Sequence, residues 1–80
     1  MSENAGPSLV KRSLTIAGHR TSITLENEFW TCLKSIAGLR RLSLAALVAD
    51  IDRQRGSSNL SSAIRLFVLA EVQRGATPSA

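Results

Sequence analysis

The stretch GHRTSITLENEFW, residues 18–30, changes its spacing rule partway through. Up to Leu25 the side chains alternate. Thr21, Ile23 and Leu25 fall on one face and Arg20, Ser22 and Thr24 on the other, as in a half-buried strand. Beyond Leu25 apolar residues recur at helical distance, with Phe29, Trp30, Leu33, Ile36 and Ala37 on one stripe. Acidic Glu26 and Glu28 sit in the first turn of that helix, where the helix dipole favours negative charge. A strand that runs straight into a helix leaves no linker, so the helix has to pack close to the strand's apolar face.

The chain has 80 residues, enough for one small domain. Domains of this size often lean on a disulfide, a metal or self-association. One cysteine, Cys32, and one histidine, His19, exclude an internal bridge and a Cys/His zinc cage. Self-association is the staple that remains. A formal charge of +4 favours a polyanionic partner, either nucleic acid or an anionic membrane surface. The apolar run at residues 63–72 is about half of a membrane span and is broken by Arg65 and Glu71, so no membrane-spanning segment is expected, and of the two partners no membrane is predicted. MSENAGPSLVKRS lacks a positive start followed by an apolar block, which predicts a cytoplasmic protein without a signal peptide.

Residues 1–10 read as a disordered arm that leads into Lys11 and Arg12. SLTIA, residues 13–17, is a second alternating piece, and Gly18 after it fits either a hairpin turn with Ala17 or a bulge. The segment LRRLS connects the first helix to a second, with Ser43 as N-cap and Leu42 placed to staple onto Leu47. Leu44, Leu47, Val48 and Ile51 form the inward side of the second helix, and Gly56 ends it. A third helix carries two apolar stripes, Leu60, Ile64, Phe67 and Val68 on one side and Leu66, Leu69 and Val72 on another. A helix apolar nearly all round has to be covered on both sides, and a second subunit is the expected cover. The predicted bounds are a strand at about 19–25 and helices at about 26–38, 43–55 and 59–74. They define a domain over residues 11–74 with a disordered tail, residues 75–80. No internal repeat or low-complexity segment is apparent.

The inventory for catalysis is thin. Asp50 and Asp52 lie about 200° apart around a helix and form no carboxylate pair. His19 and Cys32 lack a third group to orient them, and the glycines are too scattered for a phosphate loop. The expectation is a non-enzyme with no cofactor, no metal and no small-molecule substrate.

The polar strand face fits a different task. A two-stranded ribbon enters the major groove of B-form DNA with its outer side chains against base edges. Arg20 suits guanine O6 and N7, and Ser22 and Thr24 can donate, accept or touch thymine methyls. The same alternation also fits an edge strand with a solvated face, and spacing alone does not separate the two. At the second helix, Arg40 and Arg41 precede the Ser43 cap, a cluster that suits a DNA phosphate and equally a solvated basic loop.

The order of parts decides between them by resemblance. Strand RTSITL, helix ENEFWTCLKSIAG, a connector ending in LS and helix SLAALVADIDRQ resemble a ribbon-helix-helix protein of the Arc and MetJ type. GHRTSITL, EFW and NLSSAIRLFVL together are similar to a small bacterial branch of that family, over roughly residues 11–74. The resemblance implies a mainly α fold with a short strand: an intertwined homodimer, an antiparallel ribbon with one strand from each chain, and an extra C-terminal helix. It implies base reading by Arg20, Ser22 and Thr24. It also implies a phosphate clamp at the backbone of Leu42, Ser43 and Leu44, to which Lys11, Arg12, Arg40 and Arg41 add charge. The dimer core then comprises Ile23, Leu25, Phe29, Trp30, Leu33, Leu47, Val48, Ile51, Ile64, Phe67 and Val68. Arg41 stands where many members have glycine, so either the connector follows another path or Arg41 takes a strained left-handed backbone. The implied function is a dimeric, sequence-specific transcriptional regulator, a repressor, with double-stranded DNA as partner. The alternatives are the antitoxin of a toxin–antitoxin pair and a protein-interaction module that keeps the fold without binding DNA.

Overall fold

The architecture of the computed structural model, which describes residues 8–75, is decided at a two-residue turn. Ala17 and Gly18 both have positive φ, 51° and 83°, as the type I′ turn of a tight hairpin requires. The turn folds β1 (Leu9–Ile16) back onto β2 (His19–Glu26) as an antiparallel ribbon, in register from Leu9 opposite Glu26 to Ile16 opposite His19. The piece upstream of Gly18 therefore belongs to the ribbon. The strand beside β2 comes from the same chain, where a strand of a second subunit was expected. A covalently tethered strand meets its partner at high effective concentration, and the twist of a type I′ turn matches that of the strands it joins.

β1 also begins earlier than its alternation suggested. Leu9 and Val10, expected in the arm, are strand residues. Val10 lies opposite Leu25, and its carbonyl accepts a 2.9 Å hydrogen bond from the Trp30 indole. That bond ties the strand's start to the first helix. The remainder of the expected arm, residues 1–7, and of the expected tail, residues 76–80, lies outside the described residues.

Three helices follow: α1 (Asn27–Leu39), α2 (Leu44–Gln54) and α3 (Leu60–Gln73). α1 starts directly after β2, and the Asn27 N–H donates to the Ser8 carbonyl across the ribbon's open end. It stops in a Schellman arrangement, with the Leu42 N–H on the Ala37 carbonyl, the Arg41 N–H on the Gly38 carbonyl, and Arg41 at φ 58°. Arg41 thus holds the left-handed position that glycine would fill without strain. α2 is capped by the Ser43 hydroxyl, which accepts from the Ala46 N–H, and α3 by the Asn59 side chain, which accepts from the Ser62 N–H.

The core lies between the inner face of the ribbon and the three helices. Ile23, Leu25, Trp30, Leu33, Leu47, Val48, Ile51, Ile64 and Val68 are buried, with Phe29 and Phe67 half-buried against them. These side chains, expected to be shared by two subunits, pack together within one chain. Ile16 and Leu14 join from β1, so the hairpin supplies apolar surface from both strands. The two stripes of α3 separate. Ile64 and Val68 are buried, whereas Leu66, Leu69 and Val72 are 63%, 50% and 45% exposed. Glu71, on the same helix, is only 4% exposed and is paired with Arg40 (2.9 Å) and with Arg74. Arg40 also stacks over Phe67, 5.2 Å from the ring centre. A buried carboxylate needs such partners, and here they join the end of α1 to α3. No helix among the described residues is long and apolar enough to cross a membrane.

Candidate nucleic-acid interface

The register gives the ribbon two chemically opposite faces. Toward the helices lie Val10, Leu14, Ile16, Thr21, Ile23 and Leu25, all buried or partly so. Away from them stand Lys11, Ser13 and Thr15 on β1 and Arg20, Ser22 and Thr24 on β2, all exposed. Each outward residue of one strand faces one of the other: Lys11 opposite Thr24, Ser13 opposite Ser22, and Thr15 opposite Arg20. The two serine hydroxyls meet at 3.5 Å in the middle of the face. Residues 9–25 contain no acidic side chain, so the face carries positive charge from Lys11 and Arg20, and the one carboxylate of the two strands, Glu26, lies at its open end.

At the open end of the ribbon the first carboxylate, Glu26, is neutralised. Arg65 of α3 donates to its Oε1 at 2.8 Å, and the same guanidinium lies 5.9 Å from the Phe29 ring centre. The hydrogen bond from Arg65, followed by one from its own backbone N–H, holds the Glu26 carboxyl below its ordinary pKa against a smaller effect of desolvation.

The cations expected at DNA phosphates separate into two groups. Lys11 is on the outer face, but Arg12 points to the other side, opposite Ile23, where its guanidinium lies 5.5 Å from the Trp30 ring centre. Arg40 is held by Glu71 and Phe67, which makes it a structural cation first. Arg41 is exposed beside Ser43. The expected backbone clamp also loses a member, because the Leu42 N–H is already given to Ala37. The first-turn N–H groups of α2 without helical partners are then those of Leu44 and Ala45, since Ala46 and Leu47 donate to Ser43.

A feature missed in the linear reading is the position of the third helix. Its start sits beside β2, with the Ser61 hydroxyl donating to the Thr24 carbonyl at 3.3 Å. An open cleft of about 550 Å³ separates the two, lined by Ser22, Thr24, Asn59, Ser61, Ser62 and Arg65 among others. Only the tertiary contact places NLSSA at the ribbon, since 37 residues separate Ser61 from Thr24. The acidic residues of α2 are engaged locally, Asp50 by Arg53 and Asp52 by Arg55, and do not converge on a site.

A sequence profile described as the ribbon-helix-helix domain matches residues 9–72, which includes the ribbon and nearly all of the three helices. The chain belongs to the ribbon-helix-helix family. Ribbon-helix-helix domains are typically DNA-binding regulators or antitoxins, a non-enzymatic regulatory fold, and they generally form dimers. The structure is similar to that of an uncharacterized protein from Bordetella pertussis Tohama I, with a TM-score of 0.69 and 26% identity over 90% of this chain. The match covers 64% of that protein's chain, so this chain spans less than two thirds of its length. No curated protein sequence matches significantly.

Proposed function

We propose that this ribbon-helix-helix protein is a sequence-specific DNA-binding transcriptional regulator of the bacterial cytoplasm, a repressor that acts by occupying its operator. The observation that carries the reading is the outer ribbon face: between Lys11 and Thr24 it is exposed, free of acid, and made of the residue types that bond base edges. Arg20 presents a planar fork to guanine O6 and N7, while Ser22 and Thr24 follow at two-residue spacing along the groove. Phosphates are held at the start of α2 by the N–H groups of Leu44 and Ala45, with Arg41 beside them. Arg40 and Arg12 add positive potential from positions fixed by other contacts.

The regulator is proposed to work as a homodimer. Leu66, Leu69 and Val72 stand three residues apart on α3 and leave an apolar stripe uncovered. Beside them a cleft of about 210 Å³ is lined by Phe29, Cys32 and Val72 among others. A second copy laid on this stripe would remove it from water. This surface also favours a second reading, a module that holds a protein partner.

A gel shift against the gene's own upstream region, titrated with salt, tests the proposal. Binding should weaken steeply as salt rises. Arg20→Ala should cost about 1–3 kcal/mol at the bases it reads. Equal binding of wild type and variant to the operator would refute the base-reading role, and no salt-sensitive shift at any sequence would favour the protein-interaction reading.

A further inference from the structure

The hairpin contains a short repeat that its register turns into symmetry. Residues 11–16 read KRSLTI and residues 20–25 read RTSITL. In both, a basic residue is followed by Ser at the third position, an aliphatic at the fourth, Thr at the fifth and an aliphatic at the sixth. The copies start nine residues apart with three residues between them, so the repeat brackets the turn.

Antiparallel pairing sets Ser13 directly opposite Ser22, with their hydroxyls 3.5 Å apart. A half-turn about an axis through that pair, normal to the ribbon, exchanges Lys11 with Arg20 and Thr15 with Thr24 on the outer face. It exchanges Leu14 with Ile23 and Ile16 with Leu25 on the inner one. Both outer sets are exposed, and Ile16, Ile23 and Leu25 are buried. The relation extends to the helices: α2 packs against β1 and α3 against β2. Each begins with a capping side chain followed by leucine, Ser43 with Leu44 and Asn59 with Leu60. α1 has no counterpart.

From this register we infer that Lys11, Ser13 and Thr15 form a second base-reading set, and that one chain reads a double-stranded DNA element with two related arms. Arg20, Ser22 and Thr24 contact one arm and Lys11, Ser13 and Thr15 the other. The inference rests on the DNA-binding reading above and adds the form of the target. Lys11 and Arg20 lie at opposite ends of the face, four residues apart along the strand, about 13 Å or roughly four base-pair steps. Ser13 and Ser22 lie over the centre, where a hydroxyl can donate or accept. The symmetry is broken mainly at one position. The arginine fork fixes two parallel bonds to guanine, whereas the lysine ammonium is a rotatable point charge and constrains the base less. One arm of the element should accordingly be more sharply defined than the other.

Selection of bound DNA from a random pool, run with the full chain as wild type, Lys11→Ala and Lys11→Arg, tests this directly. Wild type should recover, for each copy of the chain in the homodimer, a two-armed element with unequal arms about four base pairs apart. Lys11→Ala should lose about 10-fold or more of the discrimination in the weaker arm and leave the Arg20 arm in place. Lys11→Arg should sharpen the weaker arm until the two are equivalent. Far-ultraviolet circular dichroism of each variant separates a loss of reading from a loss of fold, and Lys11→Arg keeps the test decisive if Lys11→Ala unfolds. A specific element whose arms are unaffected by both substitutions would overturn the inference while leaving the regulator reading intact. Arms at that short spacing that are identical in wild type and equally weakened by Lys11→Ala would also overturn it, because two copies of one strand would then form the ribbon that reads them. Failure of wild type to select any sequence would remove the regulator reading itself, and the inference with it.

Discussion

The two faces of the ribbon share a backbone and differ in what holds each side chain. On the inner face the apolar residues belong to the core or pack against it, and their positions follow from that packing. On the outer face Lys11, Ser13, Thr15, Arg20, Ser22 and Thr24 have solvent above them and little beyond the Ser13–Ser22 contact to fix them. Substitutions inside should therefore change stability and reach DNA binding only through folding. Substitutions outside should change binding at nearly constant stability, within about 0.5 kcal/mol.

The largest effect that tests this contrast is expected at Trp30. The indole is 1% exposed and donates to Val10, so it joins α1 to β1 by both packing and a hydrogen bond. Trp30→Ala should cost about 3–5 kcal/mol, measured by urea denaturation. Small domains have only about 5–15 kcal/mol in all, so this variant should be close to unfolded at ambient temperature. Arg20→Ala in the same assay should unfold at the wild-type urea midpoint. A stable Trp30→Ala protein, or a strongly destabilised Arg20→Ala one, would break the division between faces.

Much of this contrast is legible in the linear chain, and the failures have physical causes. Arg20, Ser22 and Thr24 separate from Ile23 and Leu25 by period two alone, and Ser43 identifies itself as a cap by residue type. The left-handed backbone at Arg41 is one of two readings the chain allows, and it comes from the resemblance, since many members of the family have glycine two residues before that cap. The pairing of β1 was not legible, because Ala17 is an unusual residue for positive φ and left the turn indistinct from a bulge. The repeat KRSLTI and RTSITL is only six residues long, and it acquires meaning when the register sets Ser13 over Ser22. Glu71 resembled any polar helix residue, since its partner Arg40 lies 31 positions away in the chain. The second stripe of α3 was visible as apolar, but periodicity does not say which stripe the fold leaves exposed.

The turn that joins the faces gives a smaller, two-signed test. Ala17 carries a Cβ in the left-handed region, which costs about 1–2 kcal/mol for an ordinary residue, whereas asparagine is favoured before glycine in this turn. Ala17→Asn should raise stability by about 0.5–1 kcal/mol. Gly18→Ala should lower it by about 1 kcal/mol, although nothing lies within 4 Å of the added methyl, because the cost is in the backbone. Both shifts should appear in thermal denaturation without altering which bases are preferred. If Ala17→Asn changed neither stability nor the hairpin's hydrogen-exchange protection, the single-chain ribbon itself would be in question.

The smallest effect belongs to the opposite end of the ribbon, where Glu26 and Arg65 fasten β2 to α3. The Glu26 carboxyl titrates below its ordinary value because Arg65 hydrogen-bonds its charged form. In the unfolded chain that partner is lost, so the unfolded state binds a proton at a higher pH than the folded state does. Between the two values the unfolded chain holds more protons, and stability rises with pH. The contribution of this pair is therefore complete at neutral pH and is lost as the pH falls through and below the ordinary glutamate range, near about 4.3. Urea midpoints measured from about pH 7 down to about pH 3 should fall for wild type, and they should fall less for Glu26→Gln. The comparison cancels the other carboxylates, which titrate in both proteins. Parallel curves would show that the Arg65 bond adds nothing to the fold, and that the start of α3 stays at the ribbon through Ser61 and core packing alone.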